Sequence, residues 1–204
     1  MKRFLWVVLC IVGCASTLLA RDSDERPALT LVPQPKEVHL LDGDFHVGPK
    51  TKIFVQLGHQ SEDRIAAETL AEEIADQSGL QLNIHGMKAA GKAEGGAIVL
   101  ARLQDRNVRH FLASKGLKWD QGVGEQGYLL FSDKSRVIVA ANSGQGLFYG
   151  VQTLRQLLRA EGNRLICPAL RIRDWPNLEG RESSQDLSRG TVPEFVVKKR
   201  APGA

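Results

Sequence analysis

Residues 128–158, YLLFSDKSRVIVAANSGQGLFYGVQTLRQLL, decide the fold class. Tyr128 to Phe131 and Val137 to Ala140 are short apolar runs, and Asp133-Lys134-Ser135 between them supplies turn residues. The spacing predicts a hairpin. Asn142 or Ser143 then opens a helix, because a short polar side chain can accept from the free amides of the first turn. Leu147, Val151, Leu154 and Leu158 follow at spacings of four, three and four, which puts them on one buried helix face. A hairpin running straight into an amphipathic helix points to an α+β domain.

Working outward, Leu165 to Ile172 reads as a strand ending in Asp174-Trp175-Pro176. Upstream, Ser61 to Gln77 is a second main helix, with Ser61 as its cap, Glu62 and Asp63 at its positive end and Gly79 as its stop. Its apolar stripe is Ala66, Leu70 and Ile74, with Ile65 beside them. Leu80 to Ile84 and Ala97 to Leu100 read as strands around a Gly/Ala/Lys loop, and Asn107 to Lys115 as a short helix stopped by Gly116. Nearer the start, Leu29 to Val32, Val38 to Leu41, Phe45 to Val47 and Lys52 to Leu57 read as strands. Asp42-Gly43-Asp44 is read as a hairpin turn, since glycine accepts positive φ. The expected architecture for residues 29–176 is a mainly antiparallel or mixed sheet covered by two main helices. The composition turns polar after Pro176, which marks a domain boundary.

The totals agree with a globular chain: 204 residues, 43% apolar and 25% charged. The net charge of +4 is spread along the sequence without a stripe of Lys and Arg, so nucleic acid is not an expected partner. Residues 1–20 have the layout of a secretory signal peptide: Lys2 and Arg3, an apolar run from Phe4 to Val12, then small residues. A charged linker, residues 21–28, comes next, and export to the periplasm or beyond is expected. Cleavage is open between two sites. Ile11-Val12-Gly13-Cys14 resembles a lipobox, which would lipidate Cys14 and give the membrane its sole expected contact with the chain; Ala20 is the ordinary alternative. With Cys10 and Cys14 in the leader, Cys167 stands alone in an apolar stretch and is expected to be a buried small hydrophobe. The histidines (His39, His46, His59, His85, His110) are scattered, so no metal and no cofactor is expected.

Two stretches carry a resemblance. Leu31-Val32-Pro33-Gln34-Pro35-Lys36-Glu37 resembles the opening of the small domain that precedes the barrel in glycoside hydrolase family 20, the β-N-acetylhexosaminidases. Ile172-Arg173-Asp174-Trp175-Pro176, then Arg181 and Gln185 to Pro193, resembles the junction where that family enters strand one of its (β/α)8 barrel. Gly144 to Leu158, with Gly146, Tyr149 and Gly150, is similar to the family's second helix. The resemblance implies that Arg181 binds hydroxyls of a terminal N-acetylhexosamine, while Asp186 and Arg189 hold the barrel mouth and touch no sugar.

The family's chemistry uses adjacent Asp and Glu on a later barrel strand: the Glu as general acid, the Asp to orient the substrate's own acetamido group. No Asp-Glu pair stands in the barrel's opening stretch, and Asp24-Glu25 lies in the linker. A barrel takes about 250 residues, so residues 177–204 are expected to be its truncated start. No catalytic residue is expected in the chain, and the glycan would be met through the missing barrel. The other reading is a free-standing exported carbohydrate- or protein-binding module without catalysis.

Overall fold

The computed structural model describes residues 29–58, 60–88, 95–162 and 164–177. In chain order these form β1 (Glu37–Val47), β2 (Lys52–Gln56), α1 (Gln60–Ser78), β3 (Ile84–Met87), β4 (Ala97–Arg102), α2 (Arg106–Ser114), β5 (Tyr128–Ser132), β6 (Arg136–Ala141), α3 (Gly144–Leu157), β7 (Arg159–Glu161) and β8 (Arg164–Asp174). The strands make one sheet in the order β1-β8-β5-β6-β4-β2-β3, with β7 paired to β8. From β3 through β2 and β4 to β6 the pairing is parallel; from β6 through β5 and β8 to β1 it is antiparallel. The α+β expectation holds, and the sheet is mixed.

Both faces of the sheet are covered at its centre. Ile53, Val55, Ile98, Leu100, Leu130 and Val139 meet α1 and α3 on one face. Val99, Ala101, Leu129, Phe131, Ile138 and Ala140 meet α2 on the other. This is why β4 is buried at every position and reads as an unbroken apolar run up to Arg102. On α3 the stripe of Leu147, Val151 and Leu154 is buried as expected, as is Leu158 at the helix's C-cap, each side chain contributing roughly 1.5–3 kcal/mol. Ser143 is the N-cap, its side chain accepting from the Gly146 amide. The 128–141 hairpin is also present, and Asp133 Oδ1 closes its turn by accepting from Ser135 and Arg136.

Several local expectations give way to tertiary pairing. Asp42-Gly43-Asp44 does not turn the chain: β1 runs straight through it against β8. Leu41, Asp42 and Gly43 bulge opposite Ala169, between the pairs Leu40↔Leu170 and Asp44↔Pro168. Gly43 takes the positive φ of the bulge, 98°, and Pro168 has no amide to offer the ladder there. Leu29 to Val32 joins no strand. The third strand begins at Ile84, not Leu80, because its register is set by β2 through Ile53↔Ile84. Leu80 and Leu82 pack instead against the core below α1 and α3. Ile65 is 61% exposed; the buried positions of α1 are Asp63, Ala66, Ala67, Leu70 and Ile74. Ser61 lies inside the first turn of α1, which begins one residue earlier. The three-residue β7 has no counterpart in the sequence reading.

Candidate functional site

A cleft of about 490 Å³ opens where β8 ends. Its walls are the extended segment Val32–Lys36, the outer side of α3 and the exit Asp174–Asn177. The helix can form this wall because Gly150 brings it close to the sheet. A Cβ there would lie 2.4 Å from Val139 Cγ1 and 3.1 Å from the Tyr128 ring. At that separation the Tyr128 hydroxyl and Thr153 Oγ1 share a 2.6 Å hydrogen bond in the cleft floor. Burial pushes the Tyr128 phenol upward, so it stays protonated.

Aromatic rings and amides line the cleft, which suits a sugar. Most of its polar groups, however, are already engaged. Gln156 is bound to both sides of the Val32 backbone: Oε1 accepts from its amide at 2.9 Å and Nε2 donates to its carbonyl at 3.0 Å. Gln152 Oε1 accepts from Arg155, and the Tyr149 hydroxyl from Gln145. Asp174 Oδ1 accepts from the Lys36 amide at 3.1 Å, and Lys36 Nζ donates to Asn177 Oδ1. Trp175 is held by two cations, the Arg173 guanidinium 4.6 Å and Lys36 Nζ 5.6 Å from its ring centre. Arg173 is itself fixed by Glu37 at 2.5 Å and by both Asp120 oxygens at 2.6 and 2.7 Å. Burial works against its charge, but these hydrogen bonds outweigh it and raise the pKa. The cleft's lining holds a single carboxylate, Asp174. Such a surface clamps Val32–Lys36 to Asp174–Asn177 and leaves few polar groups to a hydrogen-bonding ligand.

The C-terminal ends of parallel strands are the other customary ligand position in a sheet of this kind. Here a side chain fills them. Arg102, at the end of β4, is 3% exposed and points at Asp63, which is fully buried in the first turn of α1. Its Nε and Nη2 donate to Asp63 at 2.7–3.0 Å, Nη2 also to Glu62 at 2.8 Å, and Nη1 to the Asn142 carbonyl at 2.9 Å. Gln56 Oε1 accepts from the Arg102 amide at 2.8 Å. Burial opposes the guanidinium's charge, yet the bonds to Asp63 and Glu62 raise its pKa. Glu62-Asp63 is therefore an adjacent carboxylate pair committed to structure.

Cys167 is fully buried, as its apolar setting implied, and burial pushes its thiol to about 12, so it stays neutral. Among the described residues no three His, Cys, Asp or Glu side chains converge on a metal position. Nor is any helix among them long and apolar enough to cross a membrane. Arg181, Asp186, Arg189 and Cys14 all lie outside the described residues. Sequence reading missed the roles of Gln156, Arg173 and Arg102. Arg173 and Trp175 stood in the junction stretch, but Asp63 gave only the signal of an acidic first turn.

Comparison with known proteins accounts for the domain. Residues 28–175 match the family described as glycosyl hydrolase family 20, domain 2. A β-hexosaminidase of Porphyromonas gingivalis is 29% identical over 178 residues, spanning 84% of this chain and 20% of that protein. The chain spans between 20% and 29% of the length of the curated relatives it matches. Among solved structures, the family 20 β-N-acetylhexosaminidase of Streptomyces coelicolor is 26% identical, with a TM-score of 0.53 over 72% of this chain and 26% of that one. The Flavobacterium johnsoniae chitobiase superposes with a TM-score of 0.59 at 22% identity, over 84% of this chain and 24% of that one, which shows the fold.

Proposed function

Since the chain belongs to glycosyl hydrolase family 20 through that family's domain 2, we propose that residues 29–176 are the non-catalytic domain of an exported β-N-acetylhexosaminidase. The enzyme would remove terminal N-acetylhexosamine from a glycan. The observation that carries this reading is the state of the cleft beside Trp175. Among the described residues it holds one carboxylate, already bonded, and no second carboxylate faces it, whereas glycoside hydrolysis needs two positioned groups. The domain braces, and cleavage belongs to residues outside it. The cleft is walled by the exit from β8, and Val32 at its rim is 74% exposed although its backbone is locked to Gln156. Both features support the cleft as the seam with the chain beyond Asn177. There Arg181 would reach sugar hydroxyls, with Asp186 and Arg189 at the barrel mouth. Lys2, Arg3 and the apolar run to Val12 support export, with Cys14 lipidation as the alternative to cleavage after Ala20. The engagement of Gln152, Gln156 and Asp174 counts against a free-standing glycan-binding role for the cleft.

Two measurements test the reading. Expressed with its own N-terminus in a Gram-negative host, the chain should leave the cytoplasm shortened by 13 to 20 residues. Purified, it should leave a chromogenic N-acetylglucosaminide at the uncatalysed rate. Turnover that survives repurification would place catalysis inside this chain and defeat the reading.

A further inference from the structure

On the α2 face, at the opposite edge of the sheet, a second cavity of about 620 Å³ lies open. It exists because α2 is only nine residues long and covers the middle strands; among the described residues the outer side of β2 and β3 is only partly covered, with Phe54 and Met87 packed against the edge of that core. Ile53 and Val55 of β2 point into the core below α1 and α3, so alternation turns Lys52 and Phe54 outward. The parallel register sets Phe54 against His85, and their rings meet at 5.6 Å with a 40° tilt. Lys50, Thr51, Gln81 and Asn83 form the rim, and Met87 lies at the inner end.

This shelf contrasts with the cleft beside Trp175 on two counts. Its lining contains Lys50, Lys52 and His85 and no carboxylate. Moreover, the side chains of Lys50, Lys52, Gln81 and Asn83 have no hydrogen-bond or ion-pair partner among the described residues, whereas Gln152 and Gln156 of the Trp175 cleft are engaged. Uncommitted donors around a tilted aromatic pair, with positive charge at the rim, fit a particular ligand chemistry. An apolar sugar face packs on a ring, hydroxyls take amides, and an anionic substituent takes the ammonium groups.

We propose that the shelf on β2 and β3 binds an acidic saccharide: a sugar ring seated on Phe54 and His85, with a carboxylate or sulfate substituent held by Lys50 and Lys52. One anionic group suffices, so the even spread of charge along the sequence is no objection; Lys50 and Lys52 stand two positions apart at the start of β2. The site lies on the face away from the α1–α3 layer and the Trp175 cleft, and does not depend on the catalytic reading.

The test is titration calorimetry on the purified exported chain, at low and moderate salt. Four probes are used: a glucuronate-containing tetrasaccharide, its sulfated counterpart, a neutral N-acetylglucosamine tetramer and a single-stranded oligonucleotide. Binding of either acidic saccharide, at least about ten-fold tighter than the neutral one and weakening with salt, is expected; the two acidic arms identify which anion is preferred. Lys52→Gln and Phe54→Ala should each weaken it by about ten-fold or more, while Lys118→Gln, a lysine of the opposite edge, leaves it unchanged. Lys52 is exposed, so its variant keeps the fold and decides the matter if Phe54→Ala does not. Equal binding by Lys52→Gln, no preference over the neutral tetramer, no binding at all, or an oligonucleotide bound as tightly as the saccharides would each overturn the proposal.

Discussion

Two arginines in this domain make the same bonds and do opposite jobs. Arg102 and Arg173 each sit between two carboxylates, Asp63 with Glu62 and Glu37 with Asp120. Arg102 closes the ends of the parallel strands, where 4% of its side chain and none of the Asp63 side chain reach solvent. Arg173 stands at the antiparallel end with partners that are 43% and 62% exposed, and spends its free face on Trp175. The difference is one of surroundings. A buried pair has no water to replace a lost partner, so it is costly to break, while an exposed one is cheap. Arg102 therefore fixes the fold, and Arg173 shapes a surface.

The sharpest way to break this contrast is Arg102→Met, which leaves Asp63 buried and alone. A loss of about 3–5 kcal/mol is expected in urea unfolding, and a loss below about 1 kcal/mol would mean that water reaches the pair. Adding Asp63→Leu should recover most of it, because two apolar side chains leave no orphaned charge.

An intermediate case sharpens the scale. Glu73 of α1 pairs with Arg155 of α3, and hydrogen bonds from Gln77 and Arg155 hold its carboxyl below the usual range. A depressed folded-state pKa contributes stability above the unfolded value of about 4.3, lost as pH falls through the folded value. Acid titration of stability should thus fall less steeply below about pH 4.3 in Glu73→Gln than in the parent; identical slopes would remove the pair from the account.

The smallest effect is expected from Arg173→Gln, within about 1 kcal/mol of the parent because both partners stay solvated. Its mark should be local. In a Trp6→Phe, Trp119→Phe background the emission of Trp175 should shift and become more quenchable by acrylamide. Unchanged quenching would mean that Arg173 does not position the ring.

Legibility in the sequence divides along the same line between near and far. The 128–141 hairpin and the stripe of α3 were legible because their determinants lie within a few residues. Asp42-Gly43-Asp44 misled because the continuity of β1 is imposed by β8, more than a hundred positions away. Ile65 misled by one helical step, since which side of α1 is buried depends on the sheet beneath it. At the Trp175 cleft the junction residues were legible, but Gln156 reaches Val32 across 124 positions and Lys36 reaches Asp174 across 138. Arg102 and Asp63 are 39 apart, and neither carries a local sign of the other.

The pairing of β1 with β8 also has a mechanical side. Glu37 lies opposite Arg173 and Val47 opposite Leu165, so the two ends of the described chain leave from the same end of one antiparallel ladder. Tension between residue 29 and residue 177 would peel this ladder like a zipper, one rung after another, since the pull runs along the hydrogen bonds and perpendicular to the strands. The first rungs carry the Arg173–Glu37 ion pair, the Lys36–Asp174 bond and the stacked Trp175. These contacts form the clasp. Its strength, more than that of the core, sets the force at which the domain begins to open.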